Sequence, residues 1–105
     1  MKTEKDKLKN KLGRDASKRL TYEIYPFDSE DYAKICQQLI KKFALEPIDK
    51  IVVGLDEIFQ EYRCGNTIVG LEWDIWSGFT VVAKTQESEA LVKKIGNYLD
   101  WLYDT

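Results

Sequence analysis

The stretch from Glu57 to Lys84 constrains the fold of this chain more than any other. Two turn-forming dipeptides, Gly65-Asn66 and Ser77-Gly78, cut it into three runs of strand-favouring residues: Glu57 to Cys64, Thr67 to Trp76 and Phe79 to Lys84. Glycine reaches the positive φ of a tight hairpin turn without steric cost, so this punctuation predicts an antiparallel meander. Side chains alternate along a strand. In the middle run, Val69, Leu71, Trp73 and Ile75 therefore share one face, and Ile68, Gly70, Glu72, Asp74 and Trp76 share the other. The first face is the expected core. Ile51 to Val53 reads as a lead-in, either a short strand of its own or the start of a longer one broken near Gly54.

An apolar sheet face must be covered, and two segments have the periodicity to do it. Tyr32, Ile35, Cys36, Leu39, Ile40 and Phe43 recur at helical spacing behind Glu30 and Asp31, whose carboxylates suit a helix N-terminus. Leu91, Ile95, Tyr98, Leu99 and Leu102 repeat the pattern behind Thr85. The helices are expected over Ser29 to Leu45 and Gln86 to Tyr103. Before them, Leu20, Tyr22 and Ile24 alternate with Thr21, Glu23 and Tyr25 as in a half-buried strand that Pro26 ends. The expected fold is α+β: a four-stranded, mostly antiparallel sheet with two helices on one face, in the order (α)-β-α-β-β-β-α. Its core would hold Leu20, Tyr22, Ile24, Ile35, Leu39, Phe43, Val69, Leu71, Trp73, Val81, Leu91, Ile95, Leu99 and Leu102.

The leading element in that order is a frayed helix. Leu8, Leu12 and Ala16 fall at i, i+4, i+8, but Gly13 interrupts them and nothing else there is apolar enough to bury. Residues 1–19 hold eight Lys and Arg against three Asp and Glu, a net of +5; the whole chain is −2, so residues 20–105 carry −7. A basic arm, 1–19, thus precedes a single acidic domain, 20–105. The arm could contact nucleic acid through its lysines, since clustered cations gain by counterion release, or serve only to keep the chain soluble. It is expected to add little stability unless Leu8 and Leu12 dock on a neighbouring chain, which would make a homodimer.

Composition removes several kinds of chemistry. Histidine is absent, which excludes His-based acid/base catalysis, Ser-His-Asp and Cys-His nucleophiles and most zinc sites. Cys36 and Cys64 are too few for a disulfide framework and read as small core hydrophobes. No phosphate-cradling, zinc-protease or calcium-loop motif is present, so no cofactor and no metal is expected. Apolar runs last only a few residues, against roughly 20 for a membrane span. The N-terminus shows no apolar h-region, so the expected address is the cytoplasm.

What remains is a surface. Glu72 and Asp74 lie side by side on the face opposite the core, with Trp76 beside them, and Asp56, Glu57 and Glu61 add acidity ahead of the first hairpin. An exposed aromatic with a charged rim has the makeup of a protein-binding hot spot, and the carboxylates would steer a basic partner. Glu72 and Asp74 could also serve a carboxylate-dependent hydrolase, but in a chain of this length with no obvious cleft their place on an amphipathic strand favours solvated outward positions, paired with Arg63 or Lys84 across the hairpins. The segment Leu71-Glu72-Trp73-Asp74-Ile75-Trp76-Ser77-Gly78-Phe79, within the β-α-β-β-β-α order, resembles a class of small bacterial α+β proteins, some similar to immunity partners of secreted toxins. That resemblance implies a non-enzymatic, protein-binding role and transfers no individual residue.

Overall fold

A computed structural model describes residues 9–103. Over these residues the protein is α+β, with two α-helices against a sheet of seven strands in which every pairing is antiparallel. The strands are β1 (Lys9–Arg14), β2 (Leu20–Tyr25), β3 (Glu46–Pro47), β4 (Val52–Val53), β5 (Glu57–Cys64), β6 (Thr67–Asp74) and β7 (Gly78–Ala83). The helices are α1 (Tyr32–Phe43) and α2 (Glu89–Tyr103). Strand order across the sheet is β1-β2-β7-β6-β5-β3, with β4 also on the outer edge of β5.

The expected β5-β6-β7 meander is present, and the four-strand count is corrected to seven. The largest correction is β1. Where the leucine spacing predicts a frayed helix, Lys9–Arg14 pairs along its whole length with β2, from Lys9 opposite Tyr25 to Arg14 opposite Leu20. The turn that makes this possible is built by Asp15. Its carboxylate accepts the backbone N–H groups of Ser17 and Arg19, each at 2.9 Å, and the Arg19 Nε–H at 2.9 Å, while Lys18 takes a positive φ of 65°. Asp side chains are well suited to bonding backbone two residues on, and here that preference outweighs a weak helical pattern already broken by Gly13. Leu8 lies outside the described residues.

β3 and β4 are two-residue strands that pair separate stretches of β5: Pro47 lies opposite Tyr62, and Val52 opposite Phe59. Asp49 seals the gap between them, its carboxylate accepting the Glu61 N–H at 3.0 Å and its carbonyl the Gln60 side-chain amide at 2.8 Å. The Gly65-Asn66 turn is the expected two-residue loop, closing on the Cys64–Thr67 pair; Gly65 alone has positive φ (61°), as in a type II′ turn. The second turn differs. Asp74 pairs with Gly78, so β6 stops at Asp74 and the loop is Ile75, Trp76 and Ser77, with Gly78 closing it in the left-handed region at φ 74°.

Both helices cover one sheet face. Leu20, Tyr22 and Ile24 of β2, Val69 and Leu71 of β6, and Phe79, Val81 and Ala83 of β7 meet Tyr32, Ile35, Cys36 and Leu39 of α1 and Val92, Ile95 and Leu99 of α2. Phe43, Trp73, Leu91 and Leu102, expected in the core, pack at its margin and are only partly buried. Trp73 keeps its polar handle satisfied by donating Nε1–H to the Phe27 carbonyl at 2.6 Å. Gly96 lets α2 settle directly on the Tyr22 ring, whose hydroxyl donates to Asp100. Burial pushes the Cys36 thiol up to about 12, against the opposing pull of the Tyr32 hydroxyl, so it stays neutral as a core hydrophobe would.

Candidate functional site

Among the described residues, no helix covers the opposite face of the sheet. Across its middle run Lys11, Glu23, Thr80, Glu72, Phe59 and Val52, in register from β1, β2, β7, β6, β5 and β4. Two of the candidate carboxylates are engaged here. Lys84, just past β7, lays its stem over Gly70, where a Cβ would come within 2.6 Å of the lysine Cε. Its Nζ reaches Glu72 at 2.9 Å and Glu61 at 3.6 Å. The glycine thus makes room for a lysine that joins two neighbouring strands, its methylenes covering apolar surface and its charge held between two acids.

The other four candidates gather at one end of the sheet. Glu57 pairs with Asp74 across β5 and β6, and the Ile75 N–H donates to the Asp56 carbonyl at 3.0 Å, tying the 54–56 loop to the β6–β7 turn. Asp74 has a structural task as well: its Oδ1 accepts the N–H groups of Trp76 (2.9 Å) and Ser77 (2.6 Å), which fixes the turn and holds the Trp76 backbone. Trp76 stands at the tip, 75% exposed. With Lys11, Glu23, Tyr25 and Ser77 it lines a shallow depression of about 270 Å³.

Because the two loops are bonded, Trp76 does not stand alone. Ile75 (51% exposed) and Leu55 (101%) stand with it in the bonded loops as an exposed apolar ridge among Asp56, Glu57 and Asp74, and Val53 (67%) is exposed in the adjoining β4, on the helix side of the sheet. Ile75 is a correction: alternation along the middle run assigns it to the core, but the strand ends one residue earlier and the turn swings it out. Leu55 and Val53 were outside the expected site. Their only sequence signal is the apolar Ile51-Val52-Val53-Gly54-Leu55 run, which reads equally well as a buried strand.

Among the described residues, no group of three or more His, Cys, Asp or Glu is placed to hold a metal ion, and no helix is long and apolar enough to cross a membrane. Comparison with family models, with curated proteins and with solved structures finds no match.

Proposed function

We propose that the protein is a non-enzymatic binding module, an immunity or regulatory partner, that grips a basic protein through this ridge. The observation that carries the reading is the bonded pair of loops presenting Leu55, Ile75 and Trp76 to solvent together. Folding gains nothing from these three apolar side chains held outward, whereas a partner that covers them gains their burial. Trp is the residue most enriched among binding hot spots, and the interleaved carboxylates supply steering and discrimination. A binding reading is also supported over a hydrolytic one by what the carboxylates do: Glu72 is paired with Lys84, and Asp74 caps a turn.

The test is capture from native lysate with the intact chain, Trp76→Ala, Leu55→Ser and a deletion of residues 1–8. Binding should fall in both ridge variants and survive the deletion. The captured protein should be basic, and added salt should slow its association more than it speeds its release. Retention of nucleic acid that disappears with residues 1–8 and ignores Trp76→Ala would instead assign function to the lysine-rich N-terminus.

A further inference from the structure

The helical layer carries a second exposed tryptophan with the opposite electrostatic setting. Trp101 of α2 is 72% exposed and packs against Tyr98 with ring centroids 6.0 Å apart and planes tilted by 31°. Tyr98 in turn meets Phe43 edge-on at 5.8 Å, and Lys42 holds its Nζ 5.5 Å from the Tyr98 ring centre. Lys94, Tyr98 and Trp101 stand at i, i+4 and i+7 and so share one stripe of the helix. Lys42 and Lys94 are exposed beside these rings, and Lys41 and Lys93 are exposed on the same two helices. A small acidic chain therefore presents an aromatic patch flanked by lysines on its helices and an apolar ridge flanked by carboxylates at its strand ends.

We propose that the helical patch receives the acidic ridge of a second copy of the chain, so that molecules associate head to tail. The inference rests on the ridge being a binding surface. It commits to a second copy because the complement the patch requires, exposed apolar side chains among Asp56, Glu57 and Asp74, is present on this same molecule. Each copy uses two different surfaces in such a contact, so both remain half-used at the ends of any open assembly and growth depends on concentration. A ridge occupied by a foreign basic protein is unavailable to a second copy, which makes self-association and partner capture mutually exclusive.

Analytical ultracentrifugation of the full chain over a wide concentration range tests this. The wild type should sediment progressively faster as concentration rises, and added salt should weaken the effect. Trp101→Ala and the double variant Lys42→Glu with Lys94→Glu should each weaken association about tenfold or more. Trp76→Ala with Leu55→Ser should do the same. All of these side chains are exposed, so circular dichroism should stay native. A mixture of the patch double variant with the ridge double variant should form a one-to-one complex, since one intact ridge and one intact patch remain. A wild type that stays monomeric at every concentration overturns the proposal, while its capture of a basic protein would leave the ridge reading standing. Association that Trp101→Ala abolishes and the ridge variant leaves intact would mean a symmetric helix-to-helix contact, and also overturns it.

Discussion

Ala44 closes α1 in the left-handed region, at φ 53° and ψ 49°, with its N–H bonded to the Ile40 carbonyl. That conformation costs an L residue roughly 1–2 kcal/mol, which exceeds the extra unfolded-state entropy a glycine would bring. Ala44→Gly should therefore stabilise the protein by about 0.5–1 kcal/mol, read as a higher urea midpoint. Gly96 points the other way. An alanine there gains about 1 kcal/mol of helix propensity, but its Cβ would sit 2.7 Å from Cδ1 of the Tyr22 ring, and that ring is pinned by its hydroxyl to Asp100. Overpacking of this kind costs about 1–3 kcal/mol, so Gly96→Ala should lower the melting temperature. Neither position announces itself in the sequence, because one depends on where a helix stops and the other on which ring lies beneath it. Cys36 sets an alkaline limit. Its folded value, raised by burial to about 12, lies above its ordinary 9.0, so the unfolded chain releases this proton first. The stabilisation is complete below pH 9 and drains as pH rises toward 12, with Tyr62, also raised to about 12 by burial, adding to the loss. Urea midpoints measured on either side of pH 9 should fall on the alkaline side, and less steeply in Cys36→Ala.

At the level of elements, the sequence disclosed those whose own pattern decides them and hid those decided by a neighbour. α1, α2 and the meander have clear periods and glycine punctuation. β1 reads Lys-Asn-Lys-Leu-Gly-Arg, which has neither strand alternation nor enough apolar surface to predict burial. It becomes a strand because β2 has an unpaired edge and Asp15 folds the chain back onto it. Lys11 also suits an outermost strand, where charge discourages pairing with other molecules. β3 and β4 exist only by virtue of β5. The same reasoning explains the site: Trp76 and its acids were legible as residue types, whereas the end of β6 at Asp74 and the bond from Ile75 to Asp56, which together create the ridge, belong to the paired structure. β1 is also fastened to α2. Arg14 pairs with Glu89 at 2.5 Å, drawing that carboxyl below its usual range, and the Asn10 amide donates to Asp100 at 3.3 Å. Deleting residues 1–14 should then remove an integral strand, and a loss of about 2 kcal/mol would lower the melting temperature by roughly 10 °C in differential scanning calorimetry. An unchanged melting temperature would mean that β2 needs no outer partner.

On the scale of the whole molecule, charge and covering are divided between layers, with helices on one sheet face and an ion-paired face, uncovered by any described residue outside the sheet's own strands and loops, on the other. The sheet itself is two local pieces, the β1–β2 hairpin and the β5–β6–β7 meander, joined by one ladder in which Thr21 to Ile24 of β2 lie opposite Val82 to Phe79 of β7. The joined strands are roughly 60 residues apart in the chain. During synthesis, Leu20, Tyr22 and Ile24 leave the ribosome well before the strand that will shelter them. At about 5–20 residues per second, the nascent hairpin waits roughly 3–12 seconds with its apolar side chains uncovered. Any chaperone that serves this protein has its task in that interval, and its recognition sequence would be the very strand that ends at the centre of the finished core.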